Sequence, residues 1–202
     1  FPANRLFAGI DYKSRRFDVA GGVQYVQFGN LPTNAVGPGA LGTGPQYFDH
    51  AGTTTSHQVY LRLLNIRLKN LAPGVSLQLG RFGYASGAES ASGDSKIETV
   101  KRQRVDSRLI GEFEWSLYQR TFDGARLDVD RSRWHATASW FQPTQGGFEE
   151  QAGLPLQHLH LAAATVSLRP SASFRHTDWQ GFVYRYDDDR PVFDWMRRGV
   201  SG

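Results

Sequence analysis

Four glutamates are the residues best suited by type to acid–base chemistry: Glu112, Glu114, Glu149 and Glu150. A carboxyl pair flanking a glycosidic bond can serve as acid and as base or nucleophile. These four lie in stretches without a strand or helix pattern, so nothing in the sequence fixes their separation. His158 and His160 are two residues apart and share one face of a strand. Lacking a third ligand, they read as polar lining, and no metal or other cofactor is expected. Asp187, Asp188 and Asp189, with Asp194, offer oxygens for Ca²⁺, but a solvated acidic loop tip is the favoured reading. There is no cysteine, which removes disulfides, thiolate catalysis and Cys-bound metal. No serine or histidine sits in a nucleophile motif, and the chain is not expected to be an enzyme.

The stronger chemical signal is arginine. Of the 23 basic residues, only Lys13, Lys69, Lys96 and Lys101 are lysines. Guanidinium is the better planar, bidentate partner for carboxylate or phosphate. An arginine-rich surface for an anionic ligand is one reading; a GC-rich genome favouring arginine codons is the other. The net charge is +4, and nucleic acid is not expected as a partner.

The elements that must position these arginines read as strands. Aromatics make up 13% of the chain and glycine 22 residues, a composition suited to pleated surfaces and turns. No apolar run reaches the roughly 18–20 residues of a membrane helix. Seven strand-like segments stand out, at residues 17–29, 57–69, 75–84, 120–130, 133–141, 158–168 and 179–186. Their connections alternate between short and long: 31–56, 85–114 and 142–157 are long, while the links at 70–74, at 130–132 and near Pro170 are tight. Short turns at one end, long loops at the other and an apolar-out, polar-in alternation are the signature of an outer-membrane barrel. Trp134 and Trp140 on one outward row match its aromatic girdles. The alternative is a soluble β-sandwich module binding polysaccharide through exposed aromatics.

Charge on a lipid-facing row costs about 2–4 kcal/mol at mid-membrane, so strand arginines are expected to point inward. Parity places Arg62, Arg120, Arg126 and Arg185 there directly. Arg67 and Arg81 reach the inside only through bulges, assumed after Leu63 and at Gly80. Asp123 and Asp128 stand close enough to Arg120 and Arg126 to neutralise them. By parity Asp123 faces outward, which puts it at the interface or in a bulge near Arg120. The expected channel-lining set is Arg62, Arg81, Arg120, Phe122, Asp123, Arg126, Asp128 and Arg185.

Three pieces resemble the alginate-export family of outer-membrane proteins. They are Leu77-Gln78-Leu79-Gly80-Arg81; Arg108-Leu109-Ile110-Gly111 with Gln119-Arg120-Thr121-Phe122-Asp123-Gly124-Ala125-Arg126-Leu127; and Phe141-Gln142-Pro143 through Gly146-Gly147-Phe148-Glu149-Glu150. Together they span about residues 57–190. The stretch 85–106 is longer and more polar than in simpler members. The resemblance implies an all-β, antiparallel transmembrane barrel of about 16–18 strands, of which residues 1–202 would be a single seven-stranded segment. Arg198 to Gly202 lacks a closing strand with a terminal aromatic, and Phe1 reads as a processed or trimmed start. The implied function is passage of an anionic or polar solute, such as a uronate polysaccharide or organic acid, across the bacterial outer membrane. The implied partners are that solute, outer-membrane lipid and other envelope proteins.

Overall fold

A computed structural model of the chain describes residues 1–31, 43–92, 94–169 and 177–190. The turn expected near Pro170, Asp194 and the segment Arg198 to Gly202 lie outside the described residues. Eight strands form one antiparallel sheet in the order β1 to β8: Ala3–Lys13, Phe17–Phe28, Ser56–Ala72, Val75–Phe82, Phe122–Asp130, Trp134–Pro143, Leu159–Leu168 and Trp179–Asp188. The sheet is open, because β1 and β8 are not paired with each other. β1 was not among the seven expected strands. Its row Leu6, Ala8, Ile10 and Tyr12 pairs with Tyr25, Val23, Gly21 and Val19 of β2. All described strands belong to this one sheet, so the two-layer packing of a sandwich is absent among the described residues.

The tight connections have local causes. At 14–16 the Ser14 hydroxyl donates to the Phe17 carbonyl and accepts from the Arg16 and Phe17 amides. Between β3 and β4, Gly74 has φ +67° and packs against the Asp130 backbone. That left-handed conformation favours glycine. The long connections carry short helices: α1 at Thr43–Ala51, and α2 at Ser95–Val100, which continues into a π-helical turn at Lys101–Val105. Asp94 caps α2, its carboxylate accepting from the Lys96 and Ile97 amides, a common N-cap arrangement.

One expected bulge is present. Register shifts between Gly22 and Val23, where Leu63 and Leu61 are the β3 partners, leaving Arg62 as the extra residue. Downstream of it Arg67 pairs with Asp18 and Gln78, on the inner rows. The bulge assumed at Gly80 is absent: β4 runs in continuous register with β5 from Val75 to Phe82. Gly80 instead has φ +107°, and a Cβ there would meet the β3 backbone. Tight strand approach, not an inserted residue, is what the glycine serves.

The two faces differ sharply. The outer rows carry Val59, Leu61, Leu64 and Ile66 on β3, Leu77 and Leu79 on β4, Ala125 and Leu127 on β5, and Trp134 to Trp140 on β6. The inner face is covered at its loop end by the long connections. Val26, Phe28, Tyr47, Tyr60 and Tyr118 form one buried cluster there, and Phe82, Tyr84, Phe122, Phe141 and Leu161 form another.

Candidate functional site

The inner rows gather the polar and charged side chains into two networks. The first centres on Asp128, which is 2% exposed. Its carboxylate accepts from Arg126 at 2.8 Å, from Arg67 at 3.2 Å and from the Thr137 hydroxyl at 3.2 Å, and lies 3.4 Å from His135 Nε2. Pairing positions this group: Ser76, Asp128 and Thr137 stand on adjacent strands of one rung, and Arg67 also donates to the Ser76 hydroxyl. A buried carboxylate shared by two guanidinium groups satisfies its lone pairs, and losing it would strand two cations.

The second network lies at the bulge. Arg62 donates to Gln24 Oε1 at 2.8 Å and to Glu112 at 2.9 Å, and Gln24 in turn donates to the Tyr60 hydroxyl. Glu112 belongs to the long connection 83–121 that folds back over the inner face. Its burial raises its pKa above the usual carboxylate range despite the opposing Arg62 charge. The same connection reaches further. Glu89 accepts from the Tyr84 hydroxyl, the Gly87 amide and Gln180 on β8. Lys101 donates to Asp178 at 3.0 Å, both side chains being nearly buried. Asp178 immediately precedes β8, at the short-turn end, so the connection spans the inner face from one end of the strands towards the other.

The expected lining residues divide on this geometry. Arg62, Phe122, Arg126 and Asp128 are on the inner face. Arg81 and Asp123 are cross-strand neighbours on the outward parity, at the loop end of β4 and β5. They form a bidentate pair at 2.7 and 2.6 Å, and Arg81 also donates to the carbonyls of Leu61 and Gly153. Asp123 therefore sits at the loop-end rim paired with Arg81, not in a bulge near Arg120. Arg185 does not point inward. It is paired with Ala162 on the outer row of Val183 and Gly181, near the loop end, and its Nε reaches Asp187 at 2.9 Å. His160 likewise faces outward, stacked on Trp140 with centroids 5.1 Å apart, so it is not polar lining. His158 lies just before β7 with φ +61°.

Arg120 precedes β5 and is bonded differently from the rest. Its Nε donates to the Thr144 carbonyl at 2.9 Å, and its guanidinium lies over the Phe113 ring at 4.3 Å from the centroid. No carboxylate pairs with it among the described residues, and burial pulls its pKa below the usual arginine range. It lines a cavity of about 780 Å³ between segment 106–115 and the inner face, with Phe122, Leu161, Tyr184 and Tyr186 as the sheet-side wall. The aromatic wall was not foreseen from the sequence. Phe113 and Trp115, alternating with Glu112 and Glu114 in a polar loop, are the signal that could have revealed it.

Of the four candidate glutamates, Glu112 is held by Arg62, Glu149 stands 3.7 Å from His50, and Glu114 lines the cavity. No group of three His, Asp or Glu side chains placed to hold a metal occurs among the described residues. No helix among the described residues is long and apolar enough to cross a membrane, which says nothing about crossing by strands. Compared with protein families, with curated proteins and with solved structures, the chain has no match.

Proposed function

We propose that this chain is part of a bacterial outer-membrane β-barrel of the alginate-export type, with about 16–18 strands in the whole, that passes an anionic or polar solute. One observation carries the reading: a single sheet bears an apolar outer face and a charged, arginine-bearing inner face. From Tyr12, Phe17, Trp134 and Trp179 at the short-turn end up to the rung of Ala138 and Val183, the outer rows contain no charged side chain, and the first charge, Arg185, stands on the rung of Trp140. The charges of that face, Arg81, Asp123, Arg185 and Asp187, lie at the loop end. Six residues separate Trp134 from Trp140, about 20 Å of strand, near the roughly 25 Å apolar band of such barrels. Outer-membrane lipid would cover this face, and the long connections would lie outside the cell.

Within the lumen most arginines already pair with a carboxylate, although Arg67 and Arg126 share the single charge of Asp128. Arg62 is matched by Glu112, and Arg67 and Arg126 by Asp128. Arg120 is the expected lining arginine left without a carboxylate among the described residues. It is a cation available to a passing anion, and weak, successive sites are what allow both entry and release.

Refolding the whole barrel of which this chain would be part into detergent and planar bilayers tests this. Heat-modifiable gel migration and single-channel steps are expected, and Arg120→Gln should lower anion preference more than Arg126→Gln. A water-soluble monomer without detergent would sink the proposal.

A further inference from the structure

We infer that the cavity beside Arg120 is a binding site for a small aromatic monocarboxylate, whose carboxylate meets the Arg120 guanidinium and whose ring lies among Phe113, Trp115, Tyr184 and Tyr186. The inference rests on the channel reading and narrows its solute. Three observations carry it. The first is size: about 780 Å³ falls within the roughly 300–1,000 Å³ of small-molecule sites, and a polymer needs an open lane instead.

The second is the lining. Phe122 and Leu161 floor the cavity with fully or nearly buried side chains, and Tyr184 and Tyr186 continue the wall on β8. Opposite them Trp115 is 64% exposed and stands 5.7 Å, centroid to centroid, from Phe113. A flat ring finds offset and edge-to-face partners on both sides here. A sugar ring would need hydrogen-bonding groups around its whole edge, and much of this wall is aromatic.

The third is the state of Arg120. Its Nε is held by Thr144 and its face by Phe113, so its orientation is fixed before any ligand arrives. Neither terminal nitrogen has a hydrogen-bond partner among the described residues. A partly buried cation without an anion carries a desolvation cost that a carboxylate would relieve. Asp106 and Glu114 also line the cavity, with Arg108. The two acids balance Arg108 and Arg120, so a dicarboxylate would leave the cavity with two uncompensated negative charges and is disfavoured.

Calorimetric titration of the refolded full chain with benzoate, cyclohexanecarboxylate, phthalate and glucuronate tests the site, and heat-modifiable migration confirms the fold of each variant. Benzoate is expected to bind at least tenfold more tightly than glucuronate or phthalate and severalfold more tightly than cyclohexanecarboxylate. Arg120→Gln should weaken benzoate at least tenfold, Arg120→Lys should restore part of the loss, and Trp115→Ala should erase the preference over cyclohexanecarboxylate. Glucuronate binding as tightly as benzoate, or a folded Arg120→Gln chain with unchanged affinity, overturns the inference. Benzoate binding by a protein that opens no channel would remove the channel reading and leave the site. A conducting channel indifferent to benzoate would do the reverse.

Discussion

The two faces of the sheet use the same strands to opposite ends. On the outer face Ala125 and Leu127 stand beside Trp140 and Ala138, and nothing there needs a partner beyond an apolar medium. On the inner face Arg126 and Asp128, their immediate neighbours in sequence, are tied to Tyr84, Glu89, Arg67 and Thr137. Alternation by one residue separates a surface without obligations from one whose charged groups are tied to partners. Tolerance to mutation should therefore depend on parity more than on residue type.

The comparison breaks most severely at its most committed member. Asp128→Ala should cost about 3–5 kcal/mol, the usual penalty for removing one side of a buried ion pair, read as the shift in urea midpoint of the folded fraction. Next in size, Leu127→Arg should cost about 2–4 kcal/mol on folding into lipid vesicles. Ser139→Arg, on the inner face of the adjacent strand, should cost less in the same assay. Equal costs for the two would mean that the outer face does not meet lipid.

The smallest effect sharpens the inner face alone. Glu112 has its folded pKa raised by burial, so between its ordinary value and the raised one the folded state holds more protons than the unfolded state. Stability contributed at this carboxyl therefore falls as pH rises through that window. Protease resistance of the connection 83–121 should be greater just above the ordinary carboxylate pKa than at neutral pH. Glu112→Gln should flatten that dependence.

Strand positions were legible because period-two patterning survives, most clearly in Trp134 to Trp140, where apolar and polar residues strictly alternate. β1 escaped because Arg5, Asp11 and Lys13 sit among its apolar residues, and because its partner β2 alone defines which row is outward. A bulge in β3 was legible from the adjacent Leu63 and Leu64, but it falls earlier, at Arg62, which turns Leu63 to the inner row. The inward assignment of Arg185 failed because Tyr184, Arg185 and Tyr186 give no contrast between rows. Pairing with Ala162 decided the matter. The cavity was least legible of all, since Phe113 and Trp115 belong to the connection 83–121, which obeys no local period, and meet Tyr184 and Tyr186 some seventy residues further along the chain.

Strand pairing in this sheet links sequence neighbours throughout, whereas Arg5 reaches Ser116 and Arg62 reaches Glu112. Short-range hairpins close quickly and distant contacts slowly. By that rule the hairpins are expected to zip first, with the inner-face contacts of the connection 83–121 made afterwards. Until then Arg62 at its bulge and the carboxyl of Glu112 stay hydrated separately. The bulge is thus a socket made early for a contact made late, and slowing that last step should leave a sheet-complete intermediate with an accessible inner face.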